Sequence, residues 1–323
     1  MNKDIVFHED EMRLLAQSDG CAVYQLKNET GDGTMTMYEL FPGIVLMFND
    51  FHMNSYLSDF HTSKDMLCID HCREGRLEYT ADKDSFSYVE SGDIKIDRRV
   101  KHSGHYSFPL AHYHGITVGF ALPDAQQSLK EESKSFPVDL YALQKKFCYG
   151  KYPVAFHGEP SIDKIFRELY AVPEKIKLPF FRVKVMELLL YLDVFEMPTN
   201  QMERPYFYKT QVEKIKAIQK LMTSNLEKHY TIEELAKMFD ISTTPLKNCF
   251  KSVFGSPINS YMRVFRMNSA AVYLYQDKEA SITDIAGRVG YDSASKFASA
   301  FNDVMGQTPL NYRKRNVPIQ HNE

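Results

Sequence analysis

The sequence predicts an α+β multidomain chain: a β-rich amino-terminal domain, a helical segment, and an all-α carboxyl-terminal domain built as a double helix-turn-helix. Three observations carry this. One helical pattern is written twice in the last hundred residues. Short alternating apolar stretches with turn residues between them fill the first third. Between the two lie apolar residues at spacings of three and four. The boundaries follow as 1–123, a helical segment 124–197, a linker 198–208, the double unit 209–315 and a tail 316–323.

Residues 1–123 read as strands. Cys21-Ala-Val-Tyr-Gln-Leu, Met35-Thr-Met-Tyr-Glu-Leu, Ile44-Val-Leu-Met-Phe and Phe86-Ser-Tyr-Val are the strand runs. Thr30-Gly-Asp-Gly-Thr, Phe41-Pro-Gly, Cys72-Arg-Glu-Gly-Arg and Glu90-Ser-Gly-Asp punctuate them. Many short strands at this spacing predict a sandwich or barrel. A barrel invites a small-molecule pocket, with Phe48, Phe51, Phe60 and Tyr88 as candidate liners; the alternative is plain core. Cys68, His71 and Cys72 could join His112 or His114 at a thiolate–imidazole metal site. In a strand, however, Cys68 and Cys72 share a face and His71 turns away. Buried cysteine packing is the stronger reading, and neither metal nor cofactor is expected.

Residues 124–197 read as helices. Ser161-Ile-Asp-Lys-Ile-Phe-Arg-Glu-Leu-Tyr repeats at helical spacing, and Pro179 to Phe195 is apolar on more than one side. Leu178, Phe181, Val185, Leu188, Leu189 and Leu192 form a barrel-facing set. Phe180, Val183, Leu190, Tyr191 and Phe195 then need another cover, from a partner subunit or from the same chain. A homodimer through residues 161–197 is the expectation. Met197-Pro-Thr-Asn-Gln-Met-Glu-Arg-Pro205 reads as linker, and Val212 to Leu226 as a helix packed on the first unit.

The two copies run Thr231–Gly255 and Ser281–Gly306. Ile232, Leu235 and Ala236 fall on Ile282, Ile285 and Ala286, all 50 apart; after the turn, Leu246, Phe250 and Gly255 fall on Phe297, Phe301 and Gly306, 51 apart. Thr231 with Glu234, and Ser281 with Asp284, predict capping boxes. Second helices are expected to open at Ser242 and Asp292, with Pro245 in a first turn where its missing N–H is harmless. Their inner faces are Leu246, Cys249, Phe250, Val253 and Phe297, Ala300, Phe301, Val304. The outward positions Thr243, Thr244, Lys247, Asn248 and Lys251, then Ser295, Lys296 and Ser299, are candidate base readers. Asn pairs bidentately with adenine and Lys favours guanine; any one of them alone would be an ordinary solvated residue. Ser256 to Tyr275 predicts a long, stiff connecting helix. It would hold two readers about one turn of duplex apart, roughly 34 Å. Arg263 and Arg266 on it are either phosphate contacts or internal ion pairs.

The segment resembles the DNA-binding domain of AraC/XylS-family transcription regulators. The matching residues are Tyr261, Arg263, Arg266, Met267, Ala270 and Leu274, then Ile282, Ile285, Ala286, Gly290, Tyr291, Phe297, Phe301, Gly306, Pro309, Tyr312 and Arg313. The resemblance implies two helix–turn–helix units on promoter DNA, contact with RNA polymerase, a small-molecule effector and a dimerising sensory domain. Pro42-Gly43-Ile44 and Gly92-Asp93-Ile94 resemble that family's cupin-like barrels. The stretch from Leu67 to Thr117 is similar to a subgroup with siderophore-responsive members. One departure stands out: Ser299, Asn302 and Asp303 occupy positions often basic in the family, which implies a weaker second reader. The cupin enzyme pattern is also broken, because seven residues separate Gly104 from His112-Tyr113-His114 and no carboxylate follows. An enzyme is not expected.

Charge agrees with this division. Residues 209–323 carry 16 Lys/Arg against 11 Asp/Glu, whereas residues 1–208 carry 23 against 31. A basic module beside an acidic body suits one nucleic-acid-binding part, through local contacts. Five cysteines form no paired framework, and no apolar run reads as a leader or membrane span. The expectation is a cytoplasmic activator without membrane contact. The alternative is an effector-independent regulator or repressor whose barrel is an interaction module.

Overall fold

The structure, a computed structural model, describes residues 12–61, 64–82, 84–99, 101–150, 152–197 and 205–315, with backbone alone at 58–61, 81, 82, 101–105 and 315. The chain forms two compact units, Met1–Tyr206 and Phe207–Glu323. The expected tail at 316–323 and most of the expected linker, residues 198–204, lie outside the described residues.

The first unit opens with antiparallel strands β1 (Met12–Ser18), β2 (Cys21–Asn28), β3 (Gly31–Phe41), β4 (Ile44–Met53), β5 (Ser55–His61), β6 (Met66–Asp82), β7 (Ser85–Glu90), β8 (Asp93–Asp97), β9 (Lys101–Ser107) and β10 (Tyr113–Ala121). They pair in the order β1-β2-β3-β4-β10-β6-β7. The long β6 turns the sheet on itself. Its first half pairs with β10 and β8, while from Arg76 onward it pairs with β7. Strand β9, which touches β6 near Glu78, carries β5 on its other side. The bend falls at Gly75, where φ is +87° and a Cβ would sit 2.1 Å from the His112 carbonyl oxygen. Only glycine fits there.

Strand alternation sorts two cores. Ile44 and Leu46 of β4, Leu67 and Ile69 of β6, and Ile116, Val118 and Phe120 of β10 face a helical layer. Met35, Met37, Phe51, Cys72, Leu77, Phe108 and Tyr113 face the interior of the curled sheet. Strand β10 and the first half of β6 are buried on both faces.

The helical layer comprises α1 (Leu122–Glu132), α2 (Leu140–Phe147), α3 (Pro160–Leu169) and α4 (Lys177–Val194), with a strand β11 (Val154–His157) between α2 and α3. Sequence spacing places no strand there. Four residues are too few for alternation to show, and β11 is held by its ladder to β8. Asp139 caps α2 by accepting from Tyr141 N at 2.8 Å. Helix α4 has no side-chain cap; packing holds it. Phe181, Val185, Leu188, Leu189 and Leu192 are fully buried, each contributing about 1.5–3 kcal/mol. Of the residues expected to need another cover, Phe195 takes it from its own chain and is buried. It follows the helix end, where the chain turns and stacks its ring on Phe156 at 4.8 Å. Val183, Leu190, Tyr191 and Val194 remain exposed.

The second unit is all-α: α5 (Lys209–Ser224), α6 (Ile232–Met238), α7 (Thr243–Phe254), α8 (Ile258–Gln276), α9 (Ile282–Arg288), α10 (Ala294–Met305) and α11 (Pro309–Arg315). Both capping boxes form. Thr231 Oγ1 accepts from Glu234 N at 3.1 Å, and Glu234 returns the bond to Thr231 N at 2.8 Å. Ser281 and Asp284 repeat it at 3.0 and 3.1 Å. The turns match as well: Asp240 (φ +47°) and Gly290 (φ +80°) are both left-handed, and Gly255 and Gly306 end the second helices in the same conformation. The cap of α10 is Ser293, not Asp292, and it accepts from Lys296 N. The extra residue has already entered by that point, so Ser293 is the 51-residue image of Ser242.

Candidate nucleic-acid interface and interior cavity

Helix α7 buries Leu246, Cys249, Phe250, Val253 and Phe254, against α5, α6 and α8. Burying that face turns the opposite one outward. Thr244, Lys247, Asn248 and Lys251 are exposed at spacings of three and four, with Thr243 half-buried at the helix start. Helix α10 repeats this. Phe297, Ala300 and Phe301 point inward, and Ser295, Lys296 and Ser299 are exposed. Each candidate reader therefore lies on the outer or rim side of its helix. The two stripes differ in charge. That of α7 carries Lys247 and Lys251; that of α10 carries Lys296 and, further along, Asp303.

Asp303 has a partner. Arg263 of α8 donates to its carboxylate, and both are about half exposed. The Arg263 guanidinium is thus engaged within the protein. Arg266, one turn on, is 8% exposed. It bonds His229 Nδ1 at 3.1 Å and donates to the Lys228 carbonyl at 3.2 Å. Of the two readings open for Arg266, phosphate contact is removed by burial. His229 Nε2 in turn lies 2.6 Å from the Gly290 carbonyl oxygen. Gly290 has no room for a side chain, because a Cβ would meet Leu226 O at 2.4 Å. The chain Arg266–His229–Gly290 ties the connector and the segment before α6 to the turn between α9 and α10. Sequence reading missed this tie, since His229 stands 37 residues from Arg266 and carries no motif.

The curled sheet of the first unit encloses a cavity of about 80 Å³, lined by Met35, Met47, Phe51, Tyr56, Arg99 and Tyr113 among others. Of the four expected liners, Phe51 is there. Phe48 is three residues away on the same strand, so alternation sends it to the other face. It packs there against Tyr170 and Phe181, with centroids 5.5 Å apart in each case. Tyr88 is buried elsewhere, its hydroxyl donating to Glu78 at 2.8 Å. The side chain of Phe60 lies outside the described residues.

The cavity wall carries a buried charge network. Asp70 accepts from Lys95 at 2.6 Å, Arg99 at 2.7 Å and Thr117 at 2.7 Å. Asp97 completes it with Lys95 at 3.1 Å and Arg99 at 3.0 Å. Two acids balance two bases, which is what makes burial tolerable. Burial raises the Asp70 carboxyl, but Arg99 and Lys95 outweigh it and hold the group well below the usual range.

The cysteine–histidine grouping does not assemble. Cys68 lines the cavity, Cys72 lies against the Glu74 and Gly75 carbonyls, and His71 stacks on Phe166 on the helical side. Burial pushes both thiols up to about 12, so neither offers a thiolate near neutrality.

Two helix–turn–helix units on one connector, each with an exposed second helix, define a DNA-binding protein. A family described as a helix-turn-helix domain matches residues 235–315. The Msm operon regulatory protein of Streptococcus mutans is 22% identical over 306 residues, 86% of this chain and 99% of that protein. The transcriptional activator RhaR of an Enterobacter species is 29% identical over 101 residues, but only 36% of its length is covered. The C-terminal domain of AraT, a response regulator from Geobacillus stearothermophilus, is 26% identical across 34% of this chain and 91% of that one, with a TM-score of 0.32. The carboxyl-terminal domain is thus of the helix-turn-helix kind that these transcription regulators carry. Among the described residues no helix is long and apolar enough to cross a membrane.

Proposed function

We propose that this regulator is a homodimeric, effector-responsive activator whose α7 and α10 enter successive major grooves on one face of promoter DNA. The observation that carries the reading is the pair of outward stripes, Thr244–Lys247–Asn248–Lys251 and Ser295–Lys296–Ser299, on helices tied through α8. Thr243 sits at the rim of the first stripe. Helix α7, with two lysines, is the main reader. Helix α10, whose Asp303 engages Arg263, serves more for positioning or for RNA polymerase contact.

Dimerisation rests on α4. Val183, Leu190, Tyr191 and Val194 make one exposed apolar stripe, with Val194 74% exposed and Val183 63%, as an unpartnered helix face does. The effector enters the cavity of the first unit, a cupin-like barrel in this reading, where methionine and aromatic side chains meet the Asp70–Arg99 network. Its binding changes the affinity of the regulator for promoter DNA. The relative named as an activator supports activation over repression.

Hydroxyl-radical footprinting on the promoter beside its own gene tests the central part. Two protected patches one turn apart on one face are expected, and the α7-side patch disappears in Lys247→Ala. A single patch, or protection indifferent to Lys247→Ala, overturns it. Leu190→Glu with Val194→Glu should convert the dimer to monomer in sedimentation; an unchanged mass removes α4 from the interface.

A further inference from the structure

We propose that Asp50, His52 and His112, with Glu74 beside His112, bind one divalent ion of the zinc, cobalt or nickel class at the end of the first unit's sheet. Strand register, rather than side-chain rotamers, brings the donors together. Phe51 of β4, Tyr113 of β10 and Gly75 of β6 form one row across three neighbouring strands. Asp50, His114 and Glu74 form the next. Paired residues share a face, and so do residues two apart. Asp50, His52, His112 and Glu74 therefore project from the same side, opposite Phe51 and Tyr113, which line the cavity.

The backbone at His112 is fixed. Its carbonyl accepts from Arg76 N at 3.3 Å and packs on Gly75, and Ala111 before it is left-handed at φ +54°.

The distances suit a tetrahedral ion. With metal–ligand bonds of about 2.0–2.1 Å, two donors on one zinc lie about 3.3–3.4 Å apart. His52 Nε2 and Asp50 Oδ1 are 3.1 Å apart, and His112 Nε2 and Glu74 Oε2 are 3.7 Å apart. The donor atoms of Asp50, His52 and His112 all lie within 4.8 Å of one another. The two imidazole rings tilt together, with centroids 5.0 Å apart. Two imidazoles and a carboxylate suit a borderline first-row ion rather than calcium or magnesium, which take oxygen donors. All of these side chains reach solvent; His112 is 31% exposed and His52 62%. An ion can enter without unfolding the chain, and would staple β4 to the start of β10.

The test uses the untagged full chain, stripped with chelator and titrated with Co²⁺. One equivalent should bind and give the intense visible absorption of tetrahedral cobalt, which Zn²⁺ then displaces. His52→Ala and His112→Ala should each weaken uptake by about tenfold or more, while Cys68→Ser and Cys72→Ser leave it intact. Zn²⁺ should raise the unfolding temperature of the wild type and not of the histidine variants. DNA affinity of the metal-free variants checks that they fold, and Asp50→Asn serves where they do not. No stoichiometric uptake by the wild type, uptake undiminished in the histidine or Asp50 variants, or uptake lost with either cysteine overturns the proposal.

Discussion

Arg266→Met removes the tie between the two DNA-reading units while keeping the stem that packs in α8. The side chain is 8% exposed and spends its guanidinium on His229 Nδ1 at 3.1 Å and the Lys228 carbonyl at 3.2 Å. A hydrogen bond from a charged donor is worth about 1.5–3 kcal/mol, so the gross loss is about 3–6 kcal/mol. Part returns, because burying a guanidinium has its own cost; burial lowers the Arg266 pKa. A net destabilisation of about 1–3 kcal/mol remains. In a unit of this size that lowers Tm by about 5–15 °C, and the fall belongs to the transition of residues 207–323. His229 loses its anchor as well, so its 2.6 Å contact with the Gly290 carbonyl loosens and α9–α10 is no longer held in register with α6–α7. Electrophoretic mobility assays with a full site and with the α7 half-site alone separate this from simple unfolding. The full site should lose about tenfold, or 1.4 kcal/mol, and the half-site little. Equal loss on both, or an unchanged Tm, would refute the claim that Arg266 couples the two units.

Three further outcomes are expected. Lys247→Ala or Asn248→Ala should weaken the preferred site by about 1–3 kcal/mol and relax preference at one base pair, Ser299→Ala should matter less, and equal loss on random duplex would place the wrong face on the DNA. Asp303→Asn should release Arg263, tightening DNA binding and steepening the salt dependence by about one phosphate contact; unchanged affinity would mean that Arg263 never reaches the backbone. Burial, aided by His157, lowers the His71 pKa to about 4, so the folded chain holds this imidazole neutral while the unfolded chain protonates it near 6.5. The stabilisation is full above pH 6.5 and lost as pH falls from 6.5 towards 4, amounting to about 2 kcal/mol less at pH 5 than at pH 8. His71→Phe should flatten that part of the acid profile of the first unit's Tm; an identical slope would remove His71 as its source.

The carboxyl-terminal fold was legible because its determinants are local. Thr231 with Glu234 and Ser281 with Asp284 stand three residues apart, and each box forms where the spacing put it. The α10 cap was misplaced by one residue because the repeat offset changes within the turn, where apolar spacing carries no signal. Determinants that are distant in sequence stayed hidden. Spacing left Arg266 open between phosphate contact and an internal partner; His229 and Lys228, which decide it, are distant in sequence. Phe48 and Phe51 looked like one pocket, yet an odd separation on a strand divides them between two cores. Strand β11 exists only because β8 offers an edge. Asp50, His52, Glu74 and His112 come together through the register of three strands, which no local pattern encodes.

The central claim is that one stiff helix, Ile258–Gln276, holds α7 and α10 at a fixed separation. Binding to footprinted sites with five or ten base pairs inserted between the two half-sites measures it directly. A rigid connector predicts that both insertions reduce affinity to that of the α7 half-site alone. Recovery of full affinity with the ten-pair insertion, which restores the helical face, would show two independently tethered readers and contradict the account.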